Sequence, residues 1–458
     1  MIAIVILTFI IGYLSIVFEH PLKLDKTVPA LLMGAVMWAL VSIGYNFGLL
    51  EIIDGHAHTS TLLGITDPVK IVEGQDFFTA TLIHHIGKIA EILIFLIGAM
   101  TIVELIDMHR GFEVLKESIK TKNKRKLMVI ISIITFFLSS IIDNLTTTIV
   151  MISLLRKLIK NRDERLWYVC LVIIAANAGG AWSPIGDVTT TMLWIGKKVS
   201  TENLIINLFI PSVICAVIPL FFALRKKIFD GDLTIDNKQE ENQGKLLSSK
   251  TMLILGLIMI VFVPIFKTLT HLPPYIGMML SMAVVWLVSE YIHPEENFTE
   301  ELKHKYSPHK ALSRIELSSI LFFLGILMAV AALETMVVGG VGTLQYLAQG
   351  LENAIPDQNF VIIFLGIMSA VIDNVPLVAA SMGMYTFPID HSVWHFIAYA
   401  AGTGGSMLII GSAAGVAAMG MERIDFIWYL KNITLYAFIG YISGCILYIA
   451  MSPFLHGS

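Results

Sequence analysis

Eight windows of the chain are almost free of charge: residues 2–18, 27–45, 89–106, 204–223, 251–266, 275–289, 317–333 and 432–450. Each is close to the roughly 17–25 residues that a helix needs to span a bilayer, so each predicts a transmembrane helix. The first has no basic n-region and no small-residue cleavage site behind it, and reads as a first span rather than a signal peptide. Two further apolar stretches carry an ionisable pair at their centre. "SSIIDNLTTT" (139–148) holds Asp143 and Asn144, and "SAVIDNVPLV" (369–378) repeats that pair 230 residues later as Asp373 and Asn374.

The basic residues orient these segments, because short cytoplasmic loops are enriched in Lys and Arg. Residues 49–88 hold five acids against two lysines and read as external. Residues 107–126 hold seven basic residues against three acids, and 156–165 read "RKLIKNRDER"; both are predicted to be cytoplasmic. Only 29 residues, 127–155, separate the two basic clusters. Two arms of about 20 Å cannot each cross a hydrocarbon core of roughly 30 Å. A re-entrant hairpin with Asp143 and Asn144 at its tip follows, shielded by protein or a watery cavity. Residues 315–422 contain no Lys or Arg, so the second hairpin is expected to enter from outside. Two hairpins of opposite orientation predict an inverted-topology repeat.

The duplication extends beyond the hairpins. "NAGGAWSPIGDVTTT" (177–191) follows the first and "GTGGSMLIIGSAAG" (402–415) the second, aligning Gly179-Gly180 with Gly404-Gly405 and Gly186-Asp187 with Gly411-Ser412. "LIFLIGAM" (93–100) matches "ILFFLGIL" (320–327), and "WALVS" (38–42) matches "WLVSE" (286–290). The expected organisation is a first repeat over 1–224, a cytoplasmic linker over 225–250 and a second repeat over 251–458. Hairpins fall at 127–155 and 358–386, and interrupted helices at 166–198 and 392–421. The fold class is an all-α polytopic membrane protein with two inverted-topology repeats, about ten full crossings and both termini outside.

Composition sharpens the chemistry. The chain is 56% hydrophobic and 14% charged, against about 25% charged in soluble domains, and a charge at bilayer depth costs several kcal/mol. Gly179, Gly180, Pro184 and Gly186 break a spanning pattern beside Ser183, Asp187, Thr189 and Thr190. The bland reading is a packing kink; the functional one is freed carbonyls around a cation. Asp143 can likewise be a helix cap, which Ser or Asn would serve without the charge. Asp143, Asn144 and Thr146 form an oxygen-rich set suited to a hard cation. A desolvated carboxylate favours its proton and a bound cation favours the ionised form, so one site can alternate between them. Glu91, three residues after Lys88, reads as an ion-pair partner or a pathway residue, with Glu104 and Glu334 behind it. His84, His85, His56 and His58 are candidate pH sensors. No HExxH, GxxxxGK[ST] or GxSxG pattern occurs, which argues against a hydrolase. Cys170, Cys215 and Cys445 lack paired spacing and suggest neither disulfide nor metal knuckle.

The two "DN" hairpins and the two Gly-rich motifs resemble the NhaD-type sodium:proton antiporters. These belong to the ion transporter superfamily, which also holds arsenite permeases and sodium-coupled dicarboxylate symporters. The resemblance covers residues 20–450. It implies a homodimer in a bacterial cytoplasmic (inner) membrane that exchanges Na⁺ or Li⁺ for H⁺ in pH homeostasis, without cofactor, enzymatic activity or nucleic-acid partner. The family's functional polar positions fall on Glu91, Asp143, Asn144, Asn177, Asp187, Thr189, Thr190, Ser369, Asp373, Asn374 and Ser412; Thr146 and Ser183 join them from the reading above. Dicarboxylate symporters carry Ser-Asn-Thr at their tips, whereas the acidic tips here disfavour an anion. The alternatives are a sodium-coupled symporter of a small organic or inorganic anion, and a passive channel. The topology is checked by cysteine labelling: cysteines at Asn123 and Asn161 are expected to react only from the cytoplasm and one at Asn353 only from outside. Cytoplasmic labelling at 353 contradicts the inverted arrangement.

Overall fold

The computed structural model describes residues 1–18, 22–52, 75–117, 119, 121–233, 246–293, 308–355 and 357–456. His56, His58 and residues 234–245 of the expected linker lie outside the described residues. The chain begins with α1 (Ile2–Val17), α2 (Thr27–Asn46), α3 (Gln75–Met108) and the short α4 (Glu113–Glu117). Two helix–break–helix pairs follow: α5 (Lys124–Ser139) with α6 (Asn144–Leu158), and α7 (Arg162–Gly180) with α8 (Val188–Ile195). Next come α9 (Thr201–Ala223), α10 (Ser249–Thr270), α11 (Pro274–Tyr291), α12 (Pro308–Leu312) and α13 (Leu317–Thr335). A two-stranded hairpin, β1 (Val337–Val338) and β2 (Val341–Gly342), leads to α14 (Thr343–Ala354). The paired pattern then recurs, as α15 (Gln358–Met368) with α16 (Asn374–Met384) and α17 (Ser392–Gly404) with α18 (Ala413–Glu422). Last are α19 (Phe426–Asn432) and α20 (Thr434–His456).

The protein is an all-α, multi-pass membrane protein. Among the described residues, seven helices are long and apolar enough to cross a bilayer: α2, α3, α9, α10, α11, α13 and α20. α1 is a shorter apolar helix of 16 residues. Large apolar side chains such as Ile206, Phe221, Ile258 and Leu287 are exposed on α9, α10 and α11, as expected where lipid is the solvent. α5 and α6 have 16 and 15 residues, about 24 and 22 Å, short of the roughly 30 Å hydrocarbon thickness. One boundary differs from expectation. The loop read over 49–88 is helical from Gln75, because Phe78 packs edge-on against Trp38 at 5.8 Å and Phe77 meets Tyr45 at 6.4 Å.

The described residues divide into two units, each drawing on both halves of the chain. The first comprises Met1–Leu93, Glu316–Val361 and Val375–Phe387. In it α2 and α13 touch backbone to backbone: a Cβ on Gly325 would lie 2.5 Å from the Ala30 carbonyl carbon. Small residues permit such approach where no hydrophobic effect drives helices together. Trp38 Nε1 donates to Met328 O at 2.8 Å, tying the same pair. The Gly339-Gly340 turn between β1 and β2 has φ of +62° and +85°, the left-handed conformations that a tight hairpin demands.

The second unit comprises Ile94–Ile315, Ile362–Asn374 and Pro388–Ser458. At its centre lies α7, whose residues 166–180 are all buried; its all-round apolar surface marks a helix enclosed by others. Asn161 caps its start, accepting from Asp163 N at 2.9 Å. The second halves of the two interrupted helices are each held at their far end. Glu422, at the end of α18, has a side chain only 2% exposed and accepts from Arg156 Nε at 2.7 Å and Arg165 Nη2 at 2.9 Å. Arg162 adds Nη2 bonds to Glu422 O and Arg423 O. Beyond α8, Asp390 N donates to Lys198 O, and the Asp390 carboxylate accepts from Ser200 N and Asn203 Nδ2.

Burial alone would raise the Asp390 carboxyl, but the Ser200 and Asn203 donors outweigh it and hold it below the usual range. A depressed carboxylate stabilises the fold fully above the ordinary value of about 4 and loses that contribution as pH falls through the depressed value. The clamp therefore persists across physiological pH. Replacing Glu422 by Ala leaves Arg165 without its partner, and thermal unfolding in detergent should register a loss of about 3 kcal/mol, the low end for breaking a buried pair because Arg156 is half-exposed. An unchanged unfolding temperature contradicts this role.

Candidate functional site

The breaks within the second unit are built by glycines that cannot be anything larger. A Cβ on Gly179 would lie 2.2 Å from Phe136 O, and one on Gly404 would lie 2.0 Å from Gly366 O. Within each break, the contact repeats: Gly180 against Gly186 O at 2.5 Å and Gly405 against Gly411 O at 2.6 Å. Each hairpin is tied to its broken helix by a serine just before the tip. Ser139 Oγ donates to Ala176 O at 2.6 Å, and Ser369 Oγ to Ala401 O at 2.9 Å. The helix N-termini beyond the four breaks therefore converge on one set of polar side chains.

Asp187 lies at the middle of that set. It is 2% exposed and caps α8, its Oδ1 accepting from Thr189 N at 2.9 Å. Its Oδ2 accepts from Asn144 Nδ2 at 2.8 Å and from Asn374 Nδ2 at 3.4 Å. The two hairpin-tip asparagines thus meet on one carboxylate. Asn144 Nδ2 also reaches Asn177 Oδ1 at 2.9 Å, and Asn177 Nδ2 donates to Ser406 Oγ and Ser412 Oγ, each at 2.9 Å. Ser412 caps α18 by accepting from Gly415 N. Asp143 and Asp373 are close enough to interact electrostatically with Asp187. No Lys, Arg or His hydrogen-bonds to Asp187 among the bonds the described residues show; its donors are two side-chain amides and a backbone N–H.

The other expected residues take distinct places. Asp143 caps α6, accepting from Thr146 N at 2.8 Å and from Thr146 Oγ1 at 2.7 Å. Both of its oxygens are engaged locally. Thr190 Oγ1 donates to Asp187 O, and Ser183 Oγ accepts from Ile185 N within the turn of the break. Thr191 Oγ1 takes up the Pro184 carbonyl that the break releases. Asp373 is half-buried in the turn before α16. Glu91 lies half-buried on α3, in the other unit. In that unit too, His85 Nε2 meets Thr335 Oγ1 at 3.0 Å. Ser406 was not singled out in the sequence, yet it shares the Asn177 amide. Its signal is the serine following Gly404-Gly405, where the first motif has Ala181 after Gly179-Gly180.

Chemically the cluster offers carboxylate, amide and hydroxyl oxygens and no soft ligand, a set that suits hard monovalent or divalent cations. Among the described residues, no group of three His, Cys, Asp or Glu could hold a metal ion as such a cluster.

Paired breaks around buried polar residues in an all-α multi-pass protein define the class of secondary transporters. A family model described as "Citrate transporter" matches residues 13–395. "Sodium/proton antiporter 2" of Arabidopsis thaliana is 42% identical over 458 residues, covering 98% of this chain and 99% of that protein. "Sodium/proton antiporter 1" of the same plant is 43% identical, covering 97% and 72%. "Na(+)/H(+) antiporter NhaD" of Alkalimonas amylolytica is 31% identical, covering 95% and 88%. The chain belongs to the NhaD-type antiporters within the citrate transporter family, and so is a transporter rather than an enzyme.

The cap geometry at the first tip generates a stability test. Thr146→Val removes one hydroxyl bond to a charged acceptor, which is worth about 1.5–3 kcal/mol. The unfolding temperature of the purified variant should fall accordingly. An unaltered temperature would mean that Asp143 draws its support from elsewhere.

Proposed function

We propose that the protein exchanges Na⁺, or Li⁺, for H⁺ across the cytoplasmic membrane of a bacterium. The carrying observation is the Asp187 carboxylate, buried and held by the two tip asparagines with no basic partner among the bonds described. When it is ionised, its lone pairs and the surrounding hydroxyl and amide oxygens serve a cation of Na⁺ size. When it is protonated, the negative charge that attracts the cation is gone. One group thus binds either ion and not both. Asp143 and Asp373 at the tips, with Thr146, Ser183, Thr189, Thr190 and Ser369 nearby, complete the polar lining, and Glu91 is assigned to the pathway.

Three relatives named as sodium/proton antiporters, over nearly the whole chain, support this reading. The bacterial relative supports the choice of membrane. We assign the two helix–break–helix hairpins, each too short to span, as re-entrant elements of inverted repeats in a homodimer that uses no cofactor. Alternating exposure of the polar cluster would couple the opposed fluxes.

The family description favours one other reading, sodium-coupled symport of a small carboxylate. Everted vesicles or proteoliposomes separate the two. Na⁺ alone is expected to dissipate a preformed pH gradient, with Asp187→Asn abolishing the response while the protein remains folded in the membrane. A response that requires citrate or another carboxylate selects symport and overturns the exchange.

A further inference from the structure

The amide orientations in the cluster form a chain of necessity. An ionised Asp187 accepts only, so Asn144 must turn Nδ2 toward it. That same Nδ2 lies 2.9 Å from the Asn177 side chain, which must present its oxygen there. Asn177 Nδ2 is then committed to the other side, toward Ser406 Oγ and Ser412 Oγ. Ser412 stands in the second Gly-rich motif where Asp187 stands in the first. The first broken helix therefore offers a carboxylate whose roughly four lone-pair sites accept from Asn144, Asn374 and Thr189 and leave one over, and the second a hydroxyl whose two lone pairs are both taken, by Asn177 Nδ2 and Gly415 N. A cation needs lone pairs turned toward it, so this position is shut by the Asn177 amide.

The duplication shows why only one of the two positions is shut. The residue aligned with Asn177 is Gly402, five before Met407 as Asn177 is five before Trp182. A Cβ built on Gly402 would meet Ala181 at 3.3 Å and Thr189 Oγ1 at 3.8 Å, so this residue sends no amide toward the Asp187 side. The two breaks share their glycine contacts and differ in what stands at the mouth of each.

We infer that each chain binds a single monovalent cation, at Asp187, and that Asn177 fixes this number by closing the duplicate position at Ser412. The inference rests on the cation-exchange reading above and adds the occupancy of the site. The test is Na⁺ binding to the purified full-length chain, by calorimetry or equilibrium dialysis with radioactive Na⁺. Wild type should bind one Na⁺ per chain, and Na⁺-dependent flux should show a Hill coefficient of about 1. Asn177→Asp, which puts a carboxylate oxygen where the NH₂ group stood, should add a second Na⁺ and raise the coefficient toward about 2. Asn177→Gly, which copies Gly402, should also open the second position and serves if the first variant fails to fold. Two Na⁺ per wild-type chain would overturn the inference and leave exchange standing. One Na⁺ in both variants removes Asn177 from its assigned role. No Na⁺ bound by wild type overturns the inference together with the exchange reading.

Discussion

The second unit is organised around one buried carboxylate. It belongs to Asp187, 2% exposed and held by Asn144, Asn374 and the Thr189 N–H. Both hairpin tips donate to the same oxygen. The carboxylate thus joins elements that come from chain segments nearly 200 residues apart. Remove the side chain and the two tips lose their common acceptor.

Backbone contacts bring the tips there. Gly179, Gly180, Gly404 and Gly405 let each broken helix touch its hairpin and its own break closely enough that no side chain intervenes. The Ser139 and Ser369 bonds then fix the hairpins against the breaks, and Trp182, stacked on Phe136 at 6.0 Å, walls the first break. The ends facing away from the cluster are clamped by Glu422 with its arginines and by Asp390 with Ser200 and Asn203. Clamped ends and a polar middle suit a site whose occupancy must alternate. Ion exchange asks for a site that is never left with an unbalanced charge during its passage through the membrane.

Much of this was legible in the chain. The eight charge-poor windows each fall on a helix, because apolar runs of that length have no other stable form in lipid. The duplicated Asp-Asn and Gly-Gly motifs marked the breaks, since only particular residues tolerate the geometry. What the sequence left open was which acid lies at the centre. A helix cap was one reading of Asp143, and Thr146 engages both of its oxygens in that way; nothing in the flanks told that Asn144 would turn to Asp187, 43 residues away. Long-range partnership has no local signature. Ser406 escaped notice for the same reason: its importance comes from Asn177, across the duplication. The start of α3 at Gln75 was hidden by polar residues whose neighbours Phe77 and Phe78 pack on Tyr45 and Trp38.

The central claim is that one buried carboxylate serves both ions in turn. Apparent KM for Na⁺ measured in proteoliposomes across a range of pH tests it directly. Competition at Asp187 requires KM to rise as pH falls, by up to about tenfold per unit below the carboxylate's pKa for one coupled proton, with the maximal rate at saturating Na⁺ little changed. The sign follows from mass action, since each protonated carboxylate is withdrawn from the cation. A KM that stays flat across pH while only the maximal rate moves would contradict the account and place proton sensing at a separate group.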